Sequence, residues 1–241
     1  MSYQRACLHD RRVARLETYD VNGVTLAVRS WWCDKAAWPP VVLLPGTGAT
    51  ADDWDPIAAQ LSADRPVFAI DLRGHGHSDW PGTYSISLMA EDVTGLLPML
   101  PAPQVDLVGH SLGGLVACRV AACEPARVRR LVLEDVGVPH SRPPAAPDRP
   151  AGPVSFDWAM VEQIRPEIDE PDSGWPDVIA TIRAPALVIG GGASSFLPQQ
   201  HVAELAAALA DGALVTIDAG HLVHATRPAE FVAGLRSFLD S

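Results

Sequence analysis

The chain is 241 residues long, enough for one large α/β domain with a sizeable core, and its 48% hydrophobic content excludes a disordered chain. The net charge of −11 argues against nucleic acid and against an anionic membrane surface as partners; it reads most simply as a solubilising acidic surface. The four cysteines (Cys7, Cys33, Cys118, Cys123) have neither metal-ligand spacing nor a dense disulfide pattern.

In chain order, residues 15–20 and 24–31 read as two antiparallel strands turned at Asn22-Gly23. Residues 41–45 form a short apolar run of the kind found inside a parallel sheet. Residues 52–61 have helical spacing and an acidic start, 66–71 read as a strand, and 86–97 as a helix stopped near Pro98. A buried-strand run over 105–108 leads to Gly109-His110-Ser111-Leu112-Gly113, and a helix-like run, 112–122, follows. That helix should bury the thiols of Cys118 and Cys123. Residues 128–135 and 186–190 read as further strands, 199–209 as a helix, 213–217 as a last strand and 228–239 as a last helix. This alternation predicts an α/β fold, a mostly parallel sheet covered by helices on both faces.

One stretch breaks the pattern. Pro139, Pro143, Pro144, Pro147, Pro150 and Pro153 exclude helix interior and central strand. A helix-like piece over 156–164 and an acidic loop to Trp175 follow. The single domain, 1–241, thus carries a small proline-rich cap, 137–180, between two core strands. Phe156, Trp158 and Trp175 either line a pocket under this cap or anchor it to the core. Residues 1–15 hold no apolar stretch of signal length, and no run approaches membrane-spanning length. The expectation is a cytoplasmic, reduced protein without membrane or nucleic-acid partners. Nothing in the sequence reports on oligomeric state.

Most of the chemistry is in the Gly-x-Ser-x-Gly segment. In strand–turn–helix context it is a nucleophile elbow, which lifts the Ser111 hydroxyl out of the sheet. A Cβ at Gly109 or Gly113 would crowd the turn. Leu112 opens the helix, so its N–H lacks an intrahelical acceptor and can donate to an oxyanion.

From about residue 15 onward the sequence resembles the α/β-hydrolase family, in its serine esterase-like branch with a short cap. Five segments carry the likeness in family order: Leu43-Leu44-Pro45-Gly46-Thr47-Gly48, Asp71-Leu72-Arg73-Gly74-His75-Gly76-His77-Ser78-Asp79, the elbow, Leu131-Val132-Leu133-Glu134-Asp135, and Gly220-His221. The resemblance implies that the second segment is structural, so Arg73, His75 and His77 are not catalytic. In the first, Pro45 replaces a frequent histidine, but the requirement is a backbone N–H, which Thr47 supplies. The Thr47 hydroxyl either adds a donor or bonds its own loop. His221 falls where the family keeps its general base, and His224 is left to packing or a surface contact.

The family's usual acid position, 191–196, holds no carboxylate. A minority of the family places the acid one strand earlier, where this chain has Glu134-Asp135. Side chains alternate at a strand end, so only one of the two can reach His221. Asp135 is the first choice for the acid and Glu134 the second; the remaining alternative is a site with no acid. The resemblance implies a serine hydrolase acting on a small or medium carboxylic ester, thioester or lactone through an acyl-enzyme, with no cofactor and no metal. A serine nucleophile excludes the family's dehalogenase and epoxide chemistry, which uses aspartate. Perhydrolysis, acyl transfer, carbon–carbon cleavage and a non-catalytic ligand receptor stay open on the same residues.

Overall fold

The computed structural model describes residues 14–241; Cys7 and most of the N-terminal stretch read above lie outside the described residues. Eight strands form one sheet: β1 (Arg15–Val21), β2 (Val24–Trp31), β3 (Val41–Leu44), β4 (Val67–Ile70), β5 (Val105–His110), β6 (Val128–Glu134), β7 (Ala186–Gly190) and β8 (Gly212–Thr216), in the order β1-β2-β4-β3-β5-β6-β7-β8. The β1–β2 and β2–β4 pairs are antiparallel and the rest parallel. The helices are α1 (Asp55–Leu61), α2 (Ile86–Leu96), α3 (Leu112–Cys123), α4 (Trp158–Asp169), α5 (Trp175–Thr181), α6 (Gln199–Ala208), α7 (Val223–Thr226) and α8 (Pro228–Leu239). None of them is long and apolar enough to cross a membrane.

The β1–β2 hairpin turns on Asn22 and Gly23, whose φ values of 51° and 81° suit the twist of a two-residue hairpin loop. β3, β4, β5 and β7 are buried at every position because helices cover both faces. Alternation along β5 and β6 divides the core. Leu107, Leu131 and Leu133 pack with α2, α3 and α6, whereas Val108 and Val132 pack with α1, α8 and Trp54. Glu134 is the last residue of β6, and Asp135 follows it outside the strand.

Between β6 and β7 the chain leaves the sheet, and here the structure departs from expectation. α4 runs past 164 to Asp169 despite Pro166, because Arg142 and Arg165 clamp the buried Asp169 carboxylate and hold the last turn in place. α5 has no counterpart in the sequence reading. Its Trp175 and Ile179 are buried in the core, and the Arg119 guanidinium lies 4.6 Å from the Trp175 ring centre. In α3, Cys118 is buried as expected, but Cys123 at the helix end is exposed.

Candidate active site

Ser111 sits between β5 and α3 with φ 50° and ψ −117°, a conformation costly for a residue with a Cβ. Helix hydrogen bonds from Gly114 and Leu115 to the Ser111 carbonyl, at 2.9 and 3.2 Å, hold it there. Gly113 allows the close approach of α3 to the end of β3, since a Cβ on it would fall 2.4 Å from the Leu44 carbonyl oxygen. That contact brings the 46–48 loop beside the start of α3. Thr47, Ser111 and Leu112 line one cavity, and among the described residues no protein group accepts from the Thr47 or Leu112 N–H. The Thr47 hydroxyl likewise has no protein partner among the described residues, so it does not bond its own loop.

The two neighbouring acids reach two different histidines. Asp135 Oδ2 accepts from His221 Nδ1 at 2.7 Å. This bond fixes the tautomer that leaves Nε2 unprotonated. Glu134 accepts from the backbone N–H of His224 at 2.8 Å and from its Nδ1 at 2.8 and 2.9 Å. Glu134 is therefore engaged away from His221, and His224 is a buried partner rather than a surface residue; its ring also stacks on Trp54 at 4.3 Å. Asp135 has φ 45°, which turns its carboxylate back over the end of β7. There it also accepts from Gly191 N–H at 2.8 Å, Gln199 Nε2 at 3.0 Å and Ser195 Oγ at 2.5 Å. Burial works against ionisation of Asp135, but the bonds from His221, Ser195, Gln199 and Gly191 outweigh it and hold the carboxyl below its usual range.

Two further histidines support this arrangement, and the sequence reading gave neither a structural partner. His110, the residue before Ser111, donates from Nε2 to the His221 carbonyl at 2.9 Å. Burial pushes its pKa down to about 4, with His221 and His224 adding to the effect and Glu134 opposing it. His75 donates from Nδ1 to Arg73 O at 3.1 Å and accepts at Nε2 from Gly48 N–H at 3.2 Å, so it pins the loop that carries Thr47. The turn around His75 is itself built by Asp71, which accepts from Ala51 and His77 N–H at 2.7 and 2.8 Å, and by a paired Arg73–Asp92 contact at 2.5 and 2.6 Å. The Gly48, Ala51, Asp92 and His221 partners lie 19 or more positions away, and no local pattern reports them.

The cavity at Ser111 has a volume of about 760 Å³ and a mostly apolar wall, within the range of small-molecule pockets. None of the three aromatics singled out from the sequence lines it. Trp175 is an anchor in the core. Trp158 lines a separate cavity of about 410 Å³, with its Nε1 donating to Glu162 at 2.9 Å. Phe156 packs against His75 and over Gly48, behind the loop. The wall is built instead from Val161, Ile164, Arg165 and Ile168 of α4, from Val136, Val138 and Arg142 after β6, and from Leu197. The spacing 161, 164, 165, 168 is one helical face, a signal lost when the helix is ended at 164. Phe196 stands exposed at the mouth with its ring 4.3 Å from that of His221. At the rim, His140, His201 and Glu204 place one ligand atom each within 4.8 Å of one another and are the described residues that could hold a metal ion; His140 and Glu204 already pair at 2.7 Å.

The α/β-hydrolase-fold profile matches residues 39–167. The chain belongs to the α/β-hydrolase family. The esterase Rv0045c of Mycobacterium tuberculosis is 30% identical, with 84% of this chain and 83% of that protein covered. The sn-1-specific diacylglycerol lipase ABHD11 of Mus musculus is 25% identical over 85% of this chain and 82% of its own. A solved hydrolase from Pseudomonas aeruginosa superposes with a TM-score of 0.80 at 27% identity, covering 94% of this chain and 99% of that one. The chain is a carboxylic ester hydrolase-like α/β-hydrolase with an eight-stranded, mostly parallel sheet.

Proposed function

We propose that the chain is a serine hydrolase that cleaves small or medium carboxylic esters, thioesters or lactones through an acyl-enzyme. The observation that carries this reading is the convergence of the strained Ser111 elbow and the His221–Asp135 pair on one cavity. In the proposed reaction Ser111 Oγ attacks the acyl carbon while its proton passes to His221 Nε2. The carbonyl electron pair moves onto oxygen, and the Thr47 and Leu112 N–H groups receive the charge. Collapse breaks the bond to the leaving alkoxide or thiolate, which takes the proton from His221. Water then repeats the sequence on the acyl-enzyme, with His221 again the base. Asp135 holds the imidazole tautomer and stabilises the imidazolium.

The cap over the site is the segment between β6 and β7, and its α4 face sets the room for the acyl chain. The esterase and lipase names of the relatives support an ester substrate. The test is a series of p-nitrophenyl esters from acetyl to octanoyl, with lactones and thioesters alongside. Wild-type protein should turn over at least one class, and Ser111→Ala should reduce that turnover by about 10⁴-fold. Retention of a tenth of the activity in Ser111→Ala would overturn the reading.

A further inference from the structure

The wall of the cavity contains two arginines, which its otherwise apolar character does not explain. Arg142 comes from the loop after β6 and Arg165 from α4. Both donate from Nε to the same carboxylate, Asp169, at 2.5 Å from Arg142 and 2.7 and 2.8 Å from Arg165. Asp169 is buried, and it also accepts from Ala145 N–H at 3.3 Å. Each guanidinium therefore has its Nε–H engaged. Among the described residues no protein group accepts from the terminal nitrogens of either. Two cations share one anion, so the cluster keeps one positive charge and a set of unspent donors at the cavity wall.

The setting makes this charge unusual. The chain has 18 lysines and arginines against 29 acids. Among the described residues, Asp135 is the only carboxylate lining the cavity, and His221 already holds it. On the Ser111 side the wall therefore carries two arginines, although Arg165 also borders the second cavity together with Glu162 and Glu170. Two guanidinium groups fixed by one buried carboxylate repel each other, and an entering anion relieves that repulsion. Their planar forks match the two oxygens of a carboxylate.

Resting on the serine-hydrolase reading above, we propose that Arg142 and Arg165 form an anion subsite, and that the substrates are esters, thioesters or lactones carrying a free carboxylate away from the scissile carbonyl. The apolar wall accommodates the methylenes between the two groups.

Two arms test this. The first compares hydrolysis of mono(4-nitrophenyl) glutarate with its ω-carboxamide, an uncharged ester of the same length. Wild-type protein should favour the carboxylate by about tenfold or more in kcat/KM, and the preference should shrink as salt is added. Arg142→Met and Arg165→Met should each lower the ratio of the two substrates toward one. Equal kcat/KM for the two esters in wild-type protein, with both activities abolished in Ser111→Ala, would overturn the subsite and leave the serine reading intact. The second arm needs neither turnover nor a variant. Calorimetry on the wild-type protein should give tighter binding for glutarate than for glutaramate, and tighter than for inorganic phosphate. If neither ester is hydrolysed, the serine reading is decided separately by the wider ester, lactone and thioester series, and the subsite is still decided by this arm. Equal binding of acid and amide would refute it, and stronger binding of phosphate would overturn the choice of a carboxylate.

Discussion

His110 offers a stability change that follows directly from its burial. Its pKa falls from the ordinary 6.5 to about 4 in the folded protein. The folded value lies below the unfolded one. As pH drops below about 6.5 the unfolded chain therefore takes up a proton that the folded protein refuses, and stability falls until about pH 4, where both states are charged. At pH 4.5 the unfolded imidazole is about 99% protonated and the folded one about three-quarters neutral. The difference is worth about 2–3 kcal/mol relative to pH 7.5. His110→Gln keeps a side-chain donor toward the His221 carbonyl but removes the titration. Urea unfolding of both proteins at pH 7.5, 6.5, 5.5 and 4.5 isolates this contribution, because the other titrating groups are common to both. The wild-type curve should fall more steeply, with the gap between the proteins changing by about 2–3 kcal/mol across the series. Parallel curves would refute the reasoning.

Asp135→Asn should cut kcat by about 10³–10⁴-fold and also lower stability, because the carboxylate accepts four hydrogen bonds in the fold, whereas Glu134→Gln, which breaks a buried pair, should cost about 3 kcal/mol of stability and far less activity; a larger kcat loss in Glu134→Gln than in Asp135→Asn would mean that Glu134 is the acid. Thr47→Ala keeps the N–H and should be mild, while Thr47→Pro should lose about 3 kcal/mol of transition-state stabilisation, read as kcat/KM. Trp175→Ala should lower stability by about 3–5 kcal/mol and leave chain-length preference unchanged. Ile168→Ala, on the cavity wall, should instead shift preference toward longer acyl chains by about 0.8 kcal/mol per added methylene, measured across the ester series.

The sheet was legible because a strand buried on both faces has to be written as an unbroken apolar run, as in 41–44 and 186–190. The elbow was legible because strand, glycines and helix must be adjacent in the chain. The two-residue strand period did not by itself separate Glu134 from Asp135, because Asp135 lies past the end of β6 and its φ of 45° sets where the carboxylate points. The insertion was less readable. Its aromatics looked like pocket residues, but a side chain as large as Trp175 fills core just as well, and Arg119 covers its ring. Much of the true wall is the α4 face of Val161, Ile164, Arg165 and Ile168, whose last turn runs beyond residue 164. That turn persists because Asp169 is clamped by Arg142, which lies 27 positions earlier in the chain. The contacts of His75 with Gly48 and of His110 with His221 likewise join residues 27 and 111 positions apart. No local period encodes such pairs.

The central claim is that Ser111 is a nucleophile activated by His221. Intact-protein mass spectrometry after treatment with a fluorophosphonate tests it most directly. One adduct per wild-type chain, located on Ser111, should form; Ser111→Ala should form none, and His221→Ala should label far more slowly. A folded wild-type protein that takes up no probe, or a Ser111→Ala variant that labels as fast as wild type, would contradict it.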